Sequence, residues 1–303
     1  MSPVKLSIVV CTYNRAAKLP DCLQGLLAMK VPEGVTWELV CVDNNSTDNT
    51  KQVIEDFGRR SSIPIRYVFE KQQGSSHAKN AGLRLAAGEI VAMTDDDCIA
   101  DPDWLAAIRR EFQADSALDF LGGRVELHNK DDMPISIRTS RERVDFTPSA
   151  LFGLIPGCNM AFRRRVIGET GLFDPDFGAG ARIPSAEDAE FVYRAYKADF
   201  KIVYVPDVLI YHDHGRRTEG EREKLMRLYL IGRGAFYMKY MLRGDGRVLR
   251  MAYWESYNLL KDFLKNAAKG RWDGKALQLL GHLMRGAVLY LWVRMRAAIL
   301  PRR

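Results

Sequence analysis

None of the five cysteines, Cys11, Cys22, Cys41, Cys98 and Cys158, forms a C-x-x-C pair, and most lie in apolar runs. That spacing argues against a disulfide framework or a zinc site, and for reduced thiols in a cytosolic compartment. No stretch of eighteen uncharged apolar residues occurs, because Arg285, Arg294 and Arg296 interrupt the best run, so a spanning helix is not expected. The opening MSPVKLSIVVCTYNR lacks a basic start and a small-residue cleavage site; it reads as a first strand rather than a signal peptide. Repeats and low-complexity tracts are also missing. At 303 residues, 47% hydrophobic and 27% charged, the composition is that of a globular chain with core enough for one large domain or two.

The net charge of +7 is unevenly spread, with basic residues crowding the final third. Before that, the first hundred residues alternate. LSIVVC, WELVCVD, IRYVFE and EIVAMT are β-branched, apolar strand-like runs. Between them AAKLPDCLQGLLAM, STDNTKQVIEDFGRR and SSHAKNAGLRLAAG carry helical spacing, the second opened by a Ser/Thr/Asp cap and the third closed by Gly88. Such alternation implies right-handed crossovers and a mainly parallel sheet. Ligands of these sheets gather beyond the carboxyl ends of the strands. The polar clusters TYNR, DNNS and TDDD sit at those ends, which brings three separate motifs into one site.

After Trp104 the order changes. A short helix, Trp104 to Phe112, leads to the strand LDFLGGRVEL, and His128 to Pro148 is charged and irregular, read as a mobile loop. GCNMAFRRRVI resumes a strand, AEDAEFVYRAYKADF is helical, and KIVYVPDVLIYHDH is one or two strands. From Glu219 the chain is helical and basic, which places a boundary near Arg216, between residues 1–216 and 217–303.

The acidic run is the most telling feature. In extended backbone Asp95 and Asp97 leave on one face and Asp96 on the other. Two carboxylates on one face suit a hard divalent cation, Mg²⁺ or Mn²⁺, that neutralises nucleotide phosphates. The bland reading is a solvated turn of helix-capping aspartates. Asp43, ahead of the capping residues Ser46, Thr47 and Asp48, can accept the N–H of a base, with Asn45 and Ser46 on ribose or on the next helix. Tyr13 offers a face for base stacking and Arg15 a charge for phosphate. Lys79 is read either on a pyrophosphate or as an exposed lysine.

Taken in order, VVCTYNR, VDNNSTDNT, GSSHAKNAGLRLAAGEIVAMTDDDCIADPDWL, GCNMAFRR and SAEDAEFVYRAY resemble the successive motifs of family-2 glycosyltransferases, over Leu6 to His214. The resemblance implies an α/β GT-A fold, a Rossmann-like nucleotide half fused to an acceptor half. It also implies inverting, metal-dependent sugar transfer from a nucleotide-diphosphate sugar, a UDP-sugar favoured, to a glycan or lipid-linked hydroxyl. Thr12, Tyr13 and Arg15 would then hold the nucleotide, and Asp43 would read the base. Asp95 and Asp96 would face the donor, and Asp97 would coordinate Mn²⁺ or Mg²⁺, with the register among the three aspartates open by one. Asp188, beside Glu187, matches the catalytic base; the alternative is an acidic first helical turn favoured by the helix dipole. His212 stands as a further metal ligand or as a hydrogen-bonded strand-end histidine, with His214 beside it. Trp104 and the GCNM stretch with Asn159 are placed in the sugar and acceptor pockets, or, for Trp104, in the core.

The tail KALQLLGHLMRGAVLYLWVRMRAAIL mixes arginines and Trp292 into aliphatic residues, the pattern of a helix in an anionic membrane interface. Packing on the catalytic domain or a homo-oligomer contact are the alternatives. Nucleic acid fits poorly. The expected place is peripheral, on the cytoplasmic face of the cell membrane, in synthesis of a polysaccharide, O-antigen-like or glycolipid chain. Two competing readings are a sugar-1-phosphate nucleotidyltransferase, which would want a glycine-rich loop where CTYNRAAKLP has none, and a non-catalytic nucleotide-sugar scaffold.

Overall fold

A computed structural model describes residues 5–269 and 274–299. The first strand keeps its predicted place, while Met1–Val4 and the last residues of the basic tail lie outside the described residues. Two compact units are present: Met1–Asp174 with Asp188–Thr218, and Pro175–Glu187 with Glu219–Arg303. The division falls close to Arg216, but it also assigns the segment before α6 (Glu187–Lys197) to the second unit, which sequence reading does not anticipate.

The first unit is built on one sheet. Strands β1 (Leu6–Thr12), β2 (Trp37–Asp43), β3 (Ile65–Phe69) and β4 (Ile90–Asp95) are parallel, in the order β3-β2-β1-β4. β1 and β2 are buried almost throughout because helices cover both faces, and a strand covered on both faces reads as a continuous apolar run. The helices between them are α1 (Leu19–Leu27), α2 (Thr50–Arg60) and α3 (Ser75–Leu85). Asp48, one residue ahead of the N-cap Asn49, accepts from the Thr50 amide at the start of α2 at 3.0 Å. Gly88 does not close α3, which stops at Leu85. Its amide instead donates to Ser7 Oγ at 2.8 Å, and a Cβ there would overlap the β1 backbone.

Beyond β4 the sheet turns mixed. β8 (Asn159–Arg163) runs antiparallel between β4 and β6 (Leu118–Leu127), which in turn pairs in parallel with β9 (Lys201–His212). The short β5 (Cys98–Ala100) and β7 (Val144–Asp145) pair antiparallel with β9. KIVYVPDVLIYH is thus one strand, not two. Its register slips opposite Gly123/Arg124, at the segment holding Pro206, where the missing N–H favours a bulge. α4 (Trp104–Ala114) and α5 (Arg164–Thr170) complete the unit with α6 from Asp188 onward.

The segment after β6 is more ordered than its charge suggests. The Met133 amide donates to the Arg216 carbonyl at 2.8 Å, Gly215 N–H to Asp132 Oδ2 at 2.8 Å, and Arg138 bridges Val125. These bonds pin it to the exit of β9, and correct the expectation of a wholly irregular loop.

The second unit packs α7 (Glu219–Met241), α8 (Gly246–Ala268) and α9 (Lys275–Ile299). α7 and α9 meet closely: a Cβ at Gly234 would overlap the Leu283 carbonyl, and one at Gly286 the Ile231 carbonyl. α9 is 25 residues long with mean hydropathy 1.2 over its most apolar stretch, long and apolar enough to cross a membrane by length and composition alone. The arginines do not break that run as sharply as sequence reading expects.

Candidate active site

β1, β2 and β4 deliver their last residues to one edge of the parallel sheet, where Thr12 pairs with Asp43 and Cys11 with Asp95. Two asparagines turn the chain there in the left-handed region, Asn14 at φ 52° and Asn45 at φ 65°, a conformation their short side chains tolerate. Asn14 Oδ1 accepts from the Thr47 amide at 2.8 Å, and its own amide donates to Ser46 Oγ at 2.9 Å. The loops after β1 and β2 are therefore laced together. Asp43 is buried, taking the Ser46 amide on Oδ1 and the Tyr67 hydroxyl on Oδ2, each at 2.9 Å, and a carboxylate oxygen retains a second lone pair for a ligand. Tyr13 is exposed beside it. Sequence reading missed Asn44, whose amide group binds the Glu70 and Gln72 carbonyls and accepts from Gly74, tying β2 to the turn before α3.

The three aspartates do not lie on one extended strand. β4 ends at Asp95, and Asp96 and Asp97 form the turn into β5, so the same-face argument for Asp95 and Asp97 fails. The turn separates their roles. Burial pushes the Asp96 carboxyl up to about 7, against the Thr12 hydroxyl and Arg15, which lower it, while Asp97 and Asp95 raise it further. Asp97 is pulled the other way: burial would raise it, but His212 and Arg15 hold it below the usual range. His212 Nε2 lies 3.2 Å from Asp97 Oδ1, and Arg15 lies 3.5 Å from Oδ2. Burial would lower His212, but its hydrogen bond to Asp97 wins and lifts it to about 9.

β5 and β9 create that pairing by placing Cys98 opposite His212, and the Asp213 amide donates to the Asp97 carbonyl at 2.8 Å. One ligand atom each from Asp97, Cys98 and His212 lies within 4.8 Å of the others. A carboxylate and an imidazole together suit Mn²⁺ better than Mg²⁺, which favours an all-oxygen shell. Cys98 fits such a hard ion poorly, since burial and Cys158 push its thiol well up and keep it protonated. Asp97 and His212 are thus donors of the right kind. His214 stacks edge-on to His212 at 5.0 Å, bonds the Met133 carbonyl at 3.1 Å, and supports the site from behind.

The predicted base is held by a lysine. Asp188 Oδ1 is 2.5 Å from Lys79 Nζ, and Lys79 is buried with its ammonium 5.2 Å from the Phe173 ring. This replaces both expectations for Lys79, since it is neither exposed nor free for a pyrophosphate. Burial raises the Cys11 thiol, Lys79 lowers it, and Asp95 and Asp96 raise it, so the ion pair neighbours the acidic run. A Cβ on Gly157 would overlap Asp188 Oδ2, so the glycine of GCNM leaves room for that oxygen. Ala186, at φ 75°, is held in the left-handed region just before α6, where Glu187 is also buried. Such strain in a residue with a Cβ costs about 1–3 kcal/mol and persists where surrounding structure imposes it.

Trp104 and Asn159 are not pocket residues. Both are fully buried; Trp104 Nε1 donates to Asn159 Oδ1 at 2.9 Å, and Asn159 Nδ2 donates to the Arg124 and Val208 carbonyls. Every polar group of the pair is spent inside the sheet core, which is the physical reason for this correction. An open cavity of about 670 Å³ lies instead among Lys18, His128, Lys130, Asp131, Asp213 and Arg217. Lys18 bonds both the carboxylate and the carbonyl of Asp213, next to His212.

Comparison with known proteins places this arrangement. Residues 7–171 match the family described as Glycosyl transferase family 2, and residues 90–300 match Glycosyl transferase family group 2. Glycosyltransferase AglE of Haloferax volcanii is 26% identical over 257 residues, covering 82% of this chain and 79% of AglE. Longer curated relatives are matched over 26% to 48% of their length. The mannosyltransferase PcManGT from Pyrobaculum calidifontis, solved with GDP-Man and Mn²⁺, superposes with a TM-score of 0.63 at 19% identity, over 96% of this chain and 90% of that one. S. aureus TarS 1-349 in complex with UDP-GlcNAc gives 0.57 at 19%, over 98% and 92%. The strand-end carboxylates thus stand on the GT-A framework of known sugar transferases, and the chain belongs to glycosyl transferase family 2 and is a glycosyltransferase.

Proposed function

We propose that the chain is a cation-dependent, inverting transferase that moves a sugar from a nucleotide-diphosphate sugar to a hydroxyl of a glycan or lipid-linked acceptor. The observation that carries this reading is the presence of two different devices near one acidic strand edge: the Asp97–His212 pair and the Lys79-held Asp188. PcManGT, solved with GDP-Man and Mn²⁺, and TarS, solved with UDP-GlcNAc, support a nucleotide-sugar donor here too.

In this reading Tyr13 stacks on the base, and Asp43, fixed by Ser46 and Tyr67, accepts from its edge. Asp97 and His212 would hold Mn²⁺ or Mg²⁺, which when bound supplies positive charge against the donor diphosphate. Arg15 adds a guanidinium beside the same oxygens. Asp188 takes the acceptor hydroxyl proton. As that proton moves to Oδ2, the acceptor oxygen bonds the anomeric carbon, and the electron pair of the breaking bond leaves with the diphosphate. Lys79 on Oδ1 holds the carboxylate in place through an ion pair. One displacement inverts the anomeric configuration.

The test is calorimetric titration with UDP, GDP, dTDP and CDP, in Mn²⁺ and in EDTA, followed by NMR of the anomeric proton in the product. Tight cation-dependent binding of one nucleotide and an inverted product support the reading. Binding unaffected by EDTA, or a retained configuration, removes the cation or the single displacement respectively.

A further inference from the structure

Helix α8 buries one side and leaves an apolar side bare. Val248 is fully buried, and Glu255 holds Arg233 and Tyr237 of α7. At 3.6 residues per turn, Leu249, Tyr253, Tyr257, Leu260 and Leu264 fall within one arc of about 80°, and all five are exposed. Trp254, 51% exposed, packs edge-on against Tyr253 and Tyr257 at 5.4 and 5.6 Å. Exposed Arg247, Arg250, Lys261 and Lys265 fill the neighbouring arc of about 60°.

α9 repeats the arrangement. Met284, Val288, Trp292, Met295 and Ile299 share one exposed stripe, with Arg285 and Arg296 on its flank and no acidic residue anywhere in the helix. Arg296 lies 4.2 Å over the Trp292 ring. Two helices of one unit thus each present an apolar ridge bordered by cations. Exposed apolar rows of this kind, rimmed by polar residues, mark an interaction site.

We propose that this α8–α9 surface docks on a lipid bilayer carrying anionic headgroups. Charge decides the occupant. A second copy would bring basic flank against basic flank, whereas anionic headgroups neutralise it, at about 1 kcal/mol per Lys or Arg near such a surface. Chemistry agrees, because Tyr and Trp have an apolar body and a polar tip, which suits the headgroup boundary. The docking is peripheral. α9 packs on α7 through Gly286 and Leu283, so it cannot cross a bilayer without abandoning that contact.

The experiment is co-sedimentation of the full chain with phosphatidylcholine vesicles, with and without 30% phosphatidylglycerol, in 0.1 M NaCl. Binding at least tenfold stronger to the anionic vesicles is expected, and it should vanish in Arg250→Glu/Lys261→Glu/Lys265→Glu. Tyr253→Ser/Trp254→Ser/Tyr257→Ser should weaken it tenfold or more, with the circular dichroism spectrum kept. Should that variant misfold, brominated lipid should still quench Trp254 in the unmodified chain, read as the difference from Trp254→Phe. Failure to bind anionic vesicles overturns the proposal, as does equal binding to both. A dimer in light scattering that the aromatic substitutions dissolve, without vesicle binding, makes a second copy the occupant and also overturns it.

Discussion

Lys79 and Asp188, 109 positions apart, meet through Nζ and Oδ1 at 2.5 Å beside the acidic edge of the sheet. Replacing the lysine by Lys79→Met leaves the carboxylate without its buried partner. Stability should fall by about 1–3 kcal/mol, and kcat should fall with it if Asp188 acts as the proposed base, because the contact that orients it is lost. Thermal unfolding and kcat separate the two effects: kcat should fall well below the unfolding temperature only if Lys79 positions Asp188.

Asp188→Asn keeps the shape of the side chain and removes its basicity. Turnover should fall by about 10²–10⁴, while calorimetric donor affinity stays within a factor of two or so. Unchanged turnover would take Asp188 out of the base role.

Gly157→Ala is a sharper probe of the same oxygen, since the added Cβ would overlap Asp188 Oδ2. The carboxylate must move, and a displacement near 1 Å costs about 10² in rate. We expect kcat to drop and donor affinity to hold. An unaltered kcat would mean that the orientation of Oδ2 is immaterial.

Trp104→Phe should behave as a core substitution. It removes the bond to Asn159 Oδ1 inside the sheet, and a buried acceptor left unpaired costs about 1–3 kcal/mol. Denaturant titration should show that loss with unchanged donor affinity. A change in donor affinity at constant stability would return Trp104 to the pocket.

Asp132 sets an acid limit. Burial would raise its carboxyl, but the Gly215 amide, Arg217 and His214 hold it below the ordinary 3.8. A depressed carboxylate contributes stability that is present above its unfolded value and lost as pH falls through the folded one. Acid unfolding followed by fluorescence between pH 4 and 2 should therefore be less steep in Asp132→Asn. An identical acid limb would show that the tie to Gly215 carries no net stability.

Sequence reading succeeds here where a period repeats. The alternation through Asp95 needs only apolar runs of 5–7 residues and helical spacing between them, so β1 to β4, and the clustering of Thr12, Asp43 and Asp95, were legible. Three identical aspartates carry no period, so nothing marks the turn at Asp96–Asp97 that breaks their shared face. Trp104 and Asn159 satisfy each other across the core, and polarity alone does not distinguish such a pair from a ligand pocket. Lys79 and Asp188 belong to separate motifs, and their contact is a property of the closed sheet. Helical spacing in α8 reveals an apolar stripe but not which side of the helix the neighbours cover.

Arg15 and His212 place a positive group at each oxygen of Asp97. In the folded chain the carboxylate therefore has its own internal counterions. Under the proposed cation role, binding of the ion would be an exchange, in which His212 would give up a proton and Arg15 its hold on the carboxylate. Purified protein washed with chelator should accordingly regain full donor binding on adding Mn²⁺, with no refolding phase.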